Sequence, residues 1–279
     1  MLAVALALGS SLVYGLSDFL GGLKSRTLPL LSVLLVSQGA ALAVLAVVTI
    51  VLGEGPPDGK FLAYGVVAGL AEALGVAALY RGLAVGKMSI VAPIAATAPV
   101  VPVAVAATLG ELPGTLQGAG ILVALTGIAT ISLRGAEGGA AASTAASVVF
   151  GLLTALGFGG FLAAMDAAAE GGVNWALLVA RMTTVALFLA VWAARRPAMA
   201  ISRRELPVLA LIGVLILAAD TLYSLATREG LLSVVSVLGS LYPVVTIALA
   251  RVYLKERIEP MQQVGVAVTL AGAALISLA

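Results

Sequence analysis

Residues 111–133 read ELPGTLQGAGILVALTGIATISL, and residues 256–278 read ERIEPMQQVGVAVTLAGAALISL. Glu111, Gln117, Gly120, Gly127 and the closing Ile131-Ser132-Leu133 of the first stretch return as Glu256, Gln262, Gly265, Gly272 and Ile276-Ser277-Leu278 of the second, at a constant offset of 145. Further upstream, Leu79-Tyr80, Ser89 and Pro99 match Leu222-Tyr223, Ser233 and Pro243, with an offset that drifts by one or two residues, as small indels make it. The chain therefore reads as two copies of one unit. They span residues 1–133 and 146–279, joined by a Gly-, Ala- and Ser-rich linker over 134–145.

The composition says in which solvent the copies fold. Of 279 residues, 62% are hydrophobic and 10% charged, and the mean hydropathy is +1.17. Soluble domains are about half apolar and about a quarter charged, and no soluble core of this length hides so much apolar surface. A bilayer is the matching solvent. Cysteine and histidine are absent, which excludes disulfides, thiolate chemistry, His-based dyads and nearly all zinc or haem sites. The net charge of +2 says nothing about nucleic acid, and without a basic patch interleaved with aromatics no nucleic-acid partner is expected. Met1 to Gly15 carries no charged leader segment and reads as the first membrane helix.

A spanning helix needs about 20 apolar residues. Ten segments meet that need: 2–22, 30–52, 61–83, 89–109, 115–133, 146–168, 175–194, 206–226, 232–254 and 260–278. The expected fold is all-α and membrane-integral, with five helices per copy. Five is odd, so the second copy enters from the opposite face and the repeat is inverted, the usual plan of secondary transporters. Lys and Arg set the orientation. Twelve of them fall in alternate loops (Lys24, Arg26, Arg81, Lys87, Arg134, Arg195, Arg196, Arg203, Arg204, Arg251, Lys255 and Arg257), against Lys60 and Arg228 in the other set. This count predicts a multi-pass protein of the inner (plasma) membrane with both termini on the non-cytoplasmic face.

The run Ala84-Val85-Gly86-Lys87-Met88-Ser89-Ile90-Val91-Ala92-Pro93-Ile94, followed by Pro99-Val100 and Gly110-Glu111, resembles the signature of the drug/metabolite transporter superfamily. It is most similar to the EamA-type, ten-helix branch. Tyr242-Pro243-Val244 and Leu254-Lys255-Glu256-Arg257 repeat the pattern, so the resemblance covers nearly the whole chain. It implies an exporter of amino acids, related metabolites or toxic organic solutes, with a central cavity between the halves.

Charged groups inside a span are expensive and each needs a reason. Glu72, mid-way along the third segment, is the candidate coupling residue. It is either a protonatable site or a counter-ion for a cationic group. Arg181 and Asp220 stand at similar depth in the seventh and eighth segments, where they pair with each other or face the solute. Asp18 is either buried or solvated at the inner end of the first segment, one turn after Tyr14. Pro93, Pro99 and Pro102 crowd the fourth segment and Pro243 matches them in the ninth. Each removes a helical hydrogen bond and frees a carbonyl, which is tolerated at membrane depth where the break is buried or lines a wet cavity. Thr97 and Ser240 are placed to cap those carbonyls. Tyr80 and Tyr223, related by the repeat, are candidate cavity walls. The substrate-binding set is thus Glu72, Tyr80, Arg181, Asp220, Tyr223, Tyr14, Pro99, Ser240 and Pro243. Gly120, Gly127, Gly265 and Gly272 read as packing surfaces. Glu111 and Glu256 read as carboxylates set near the N-terminus of the helix that follows each.

These residues point away from catalysis. No nucleophile–base pair exists, and no GxxxxGK[ST] loop is present for direct use of ATP. No cofactor or metal is called for. The expected partners are a small organic solute and the lipid bilayer. One chain suffices for the ten-helix unit, and a dimer is left open. The leading expectation is alternating-access transport of amino acids or related metabolites. The alternative is export of organic or guanidinium-like cations by proton antiport; a channel or an intramembrane enzyme ranks below both.

Overall fold

The computed structural model describes residues 2–53, 55–108, 114–136, 141–199, 201–229, 238–239, 241–256 and 260–278. Among them there are eleven helices and no strand. They are α1 (Leu2–Thr27), α2 (Leu30–Leu52), α3 (Gly59–Val85), α4 (Met88–Ala95), α5 (Val100–Thr108), α6 (Thr115–Ala136), α7 (Ala141–Ala169), α8 (Val173–Arg195), α9 (Leu206–Glu229), α10 (Tyr242–Tyr253) and α11 (Pro260–Leu278). Helix is what apolar solvent demands, since it satisfies every backbone polar group within the segment. Among the described residues, seven stretches are long and apolar enough to cross a membrane: Leu2–Thr27, Leu30–Leu52, Gly59–Val85, Met88–Val105, Ser143–Ala169, Val173–Arg195 and Leu206–Tyr223. Thr115–Thr130, Tyr242–Tyr253 and Gln263–Ile276 are shorter apolar helices.

Two differences from the sequence reading have physical causes. The segment expected as one helix over 89–109 is broken into α4 and α5. Pro99 and Pro102 have no N–H to give to residues 95 and 98, and the chain tightens instead. Ala98 N donates to Ala95 O (3.1 Å) and Val101 N to Ala98 O (3.0 Å), while the Thr97 hydroxyl donates to Ile94 O (2.7 Å). Helix also advances from both sides into the expected linker, with α6 running to Ala136 and α7 starting at Ala141, because the alanines there are the strongest helix formers. Of the segment expected over 232–254, residues 238–239 and 241–254 are described, with α10 over Tyr242–Tyr253. Ser240 and Glu111 lie outside the described residues.

The bundle is apolar outside and partly polar inside. Leu12, Val47, Ile50, Val51, Leu122 and Val252 are exposed, whereas Ser10, Ser17, Ser37, Gln38, Thr184 and Thr246 are buried. Helix pairing follows the repeat. α3 packs on α7 as α1 packs on α9, α3 packs on α8 as α2 packs on α9, and α4 packs on α7 as α1 packs on α10; α2–α8, α4–α10 and α6–α11 pair equivalents with each other. Small residues set the close approaches. A Cβ on Gly69 of α3 would lie 2.3 Å from the Ala180 carbonyl of α8, and one on Gly213 of α9 would lie 2.0 Å from the Ser37 carbonyl of α2.

The glycines of the two quoted stretches face each other. A Cβ on Gly272 would sit 2.7 Å from Gly120 O and 2.3 Å from Ala124 N, and one on Gly127 would sit 2.7 Å from Gly265 O. Because Gly120 pairs with Gly272 and Gly127 with Gly265, α6 and α11 run antiparallel. Gly272→Val puts two methyl groups against backbone that cannot withdraw without parting the helices. We expect a loss of about 1–3 kcal/mol, read as a lower unfolding temperature. Gly118→Val, where a Cβ meets nothing within 4 Å, should leave that temperature unchanged or slightly raised.

Candidate functional site

Glu72 is the central residue of α3, 13 residues from either end of Gly59–Val85. At 1.5 Å per residue this puts it about 20 Å from each end of the helix. It is 7% exposed. Both carboxylate oxygens are engaged by α8: Oε1 pairs with Arg181 and Oε2 accepts the Thr184 hydroxyl at 3.1 Å. The same hydroxyl reaches Gly69 O at 2.8 Å, so Thr184 ties the carboxylate to the close α3–α8 crossing.

Arg181 is 5% exposed and gathers groups from several helices. Besides Glu72 on α3, it donates to the Gln38 amide oxygen on α2, and its second terminal nitrogen lies 3.9 Å from Asp220 on α9. Asp220 in turn accepts the Tyr14 hydroxyl from α1. The Asp220 side chain is 26% exposed against 10% for Glu72, so one carboxylate is locked and the other is loosely held. Two carboxylates on one guanidinium leave a formal surplus of one negative charge. The first half of the chain supplies Tyr14, Gln38 and Glu72; the second supplies Arg181, Thr184 and Asp220. Gln38 and Thr184 were missed in the sequence reading, although Gln38 is an amide in an otherwise apolar span and thus carries a signal.

The other candidate residues are distributed around this centre. The Tyr14 ring stands 6.1 Å from that of Tyr242, the neighbour of Pro243, which is buried in the first turn of α10. Tyr80 is 1% exposed, and among the described residues its hydroxyl has no hydrogen-bond partner. Asp18 is 8% exposed, which settles the choice left open by the sequence in favour of a buried carboxyl. Tyr223 packs with Ala3, Ala7 and Ala226 towards the start of α1. Pro99 stands at the α4–α5 break, beside an apolar cleft lined by Thr97, Val101, Ile128 and Leu152.

A second polar cluster holds one end of the bundle. Glu256 accepts the backbone N–H groups of Met88 and Ser89 (3.1 Å each), the Ser89 hydroxyl (3.0 Å) and Arg26 (3.0 Å). This corrects the expectation for Glu256. It caps α4, in the other half, and not the helix that follows it, because the α4 N-terminus is the nearest set of unpaired backbone donors. Lys24 and Glu205 pair at 2.5 Å and join the end of α1 to the start of α9.

Fold and centre together define a polytopic helical membrane protein whose two halves share one buried ionic cluster. The EamA-like transporter family model matches residues 1–133 and 145–278. The chain belongs to that family, within the drug/metabolite transporter superfamily, and is a membrane transporter. No curated protein matches the chain. A solved crystal structure of a protein 18% identical superposes with a TM-score of 0.66, covering 99% of this chain and 97% of that one, a likeness of fold.

Proposed function

We propose that the protein is a secondary transporter that exports small organic solutes, with amino acids or related metabolites as the leading class, by alternating access through the space between two inverted five-helix repeats. The observation that carries this reading is the Arg181 centre, built from both halves at mid-depth. A solute carboxylate competes with Asp220 for the loosely held nitrogen of Arg181, and the released Asp220 receives the solute's ammonium. Glu72, held on both oxygens, keeps Arg181 in place throughout. The antiparallel packing of the repeat-equivalent helices α6 and α11 supports inversion. The Lys and Arg bias supports the inner membrane, termini outside, and a cytoplasmic position for the Glu256 cluster.

The surplus negative charge favours one second reading, export of organic or guanidinium-like cations in exchange for protons. Counterflow in proteoliposomes separates the two. For the first, radiolabelled amino acids exchange across the membrane, Asp220→Asn weakens their apparent affinity at least about tenfold, the loss of roughly one charge-assisted hydrogen bond, and Glu72→Gln retains exchange. Movement of organic cations alone, driven by a pH gradient and abolished by Glu72→Gln, supports the second reading and sinks the first.

A further inference from the structure

Two buried polar groups take no part in the Arg181 centre. Asp18 is 8% exposed, and among the described residues it has no hydrogen bond or ion pair. The Tyr80 hydroxyl is buried and likewise unpartnered. A buried hydroxyl without a partner is costly, and a carboxylate at the same seam is a natural counterpart for a donor that meets both.

Their placement joins them. Gly15, Asp18 and Gly21 recur along the inward side of α1. A Cβ on Gly15 would lie 2.6 Å from Tyr242 O of α10, and one on Gly21 would lie 2.7 Å from the Tyr80 hydroxyl oxygen of α3. Asp18, one turn from each along α1, therefore sits at the seam where α3 and α10 both meet that helix. It lies within electrostatic reach of Tyr14, Tyr80 and Tyr242. Among the described residues no cation is paired with it; Arg181, which is also within electrostatic reach of Tyr80, is held by Glu72, Gln38 and Asp220.

We propose that Asp18 and Tyr80 form a second binding subsite, between α1, α3 and α10, for the ammonium group of an amine. An ammonium offers three donors and no acceptor. It can satisfy the Asp18 carboxylate and the Tyr80 oxygen together, and the Tyr14 and Tyr242 rings, 6.1 Å apart, stand near it. The chemistry excludes a carboxylate or phosphate ligand, because Asp18 repels an anion. The subsite is independent of the proposal that Arg181 and Asp220 take a zwitterion: an amine without a carboxylate fits it.

The test is thermal stabilisation of the purified protein by n-butylamine and n-hexylamine, with n-butanol and n-hexanol as uncharged controls. Amines should raise the unfolding temperature of the wild type and the alcohols should not. Asp18→Asn, nearly isosteric, should abolish the amine-specific rise. Tyr80→Phe supplies a check on folding, since it removes only an unpartnered hydroxyl. It should raise the unfolding temperature without amine and weaken amine binding about three- to tenfold. Equal amine stabilisation of the wild type and Asp18→Asn overturns the subsite, as does Tyr80→Phe with unchanged amine affinity. Amino-acid counterflow by the wild type is scored separately, so its absence counts against the proposed function and leaves the subsite standing.

Discussion

Arg181→Ala should destabilise the folded protein by about 3–5 kcal/mol, the usual consequence of removing one partner of a buried ion pair. Arg181 and Glu72 side chains are 6% and 10% exposed, so Glu72 would keep its desolvation and lose its counter-charge. Gln38 would lose its donor as well. The chain has no cysteine, so thiol-reactive dyes cannot report unfolding, and survival of the monodisperse peak after heating is the suitable readout. The double change Glu72→Leu/Arg181→Met removes both charges and should recover most of the loss, because a buried pair replaced by apolar groups is often neutral. Transport should stay absent in the double variant, since Asp220 no longer has a guanidinium to exchange. A single variant as stable as the wild type would show that Glu72 is not carried as an anion, and the ion-pair account of the centre would fail.

Much of the fold was legible because the bilayer leaves so few options. Each apolar stretch must be a helix, and hydropathy alone placed segments where the seven long helices and the three shorter ones lie. The glycines at 120, 127, 265 and 272 announced a close helix pair. Which helices they join became definite only when Gly120 met Gly272 and Gly127 met Gly265. The α4–α5 break was legible in part: Pro93, Pro99 and Pro102 announced lost helical hydrogen bonds and Thr97 a cap, while hydropathy, which does not register a missing N–H, drew one span through them.

The centre was legible as a set of costly residues and illegible as a set of bonds. Glu72, Arg181, Asp220 and Tyr14 stood out by charge or polarity at depth. Nothing in the sequence states that Glu72 is the tighter partner of Arg181 and Asp220 the looser one, because that follows from the crossing of α3 and α8 at Gly69 and Thr184. Glu256 was misassigned for a related reason. A carboxylate shortly before a helix suggests a local cap, but its nearest open donors belonged to a helix about 170 residues away in the chain, at Met88 and Ser89.

Glu256→Ala should make the interior at that end of the bundle at least about tenfold more accessible, because the carboxylate joins α4 to α1 there. Its oxygens accept two backbone N–H groups and a hydroxyl from α4 and a guanidinium from α1, while its own backbone N–H bonds Ala250 O at the end of α10. Charge-assisted hydrogen bonds to a partly buried anion contribute about 1.5–3 kcal/mol each, and tenfold in population corresponds to about 1.4 kcal/mol. Loss of the cluster therefore exceeds what the predicted change requires, even after discounting Arg26, whose side chain is 28% exposed. On the proposed alternating-access mechanism this end opens in one state and closes in the other, with the Glu256 contacts assigned to the closed one. Without native cysteine, Ser17→Cys is a clean reporter: Ser17 is fully buried, inward of the cluster on α1. Its labelling by a membrane-impermeant maleimide should accelerate in the Glu256→Ala background. Glu205→Ala breaks only the more exposed pair with Lys24 and should change the rate a few-fold at most. Equal labelling with and without Glu256 would mean that the cluster is a static cap of α4, indifferent to which side of the membrane the centre faces.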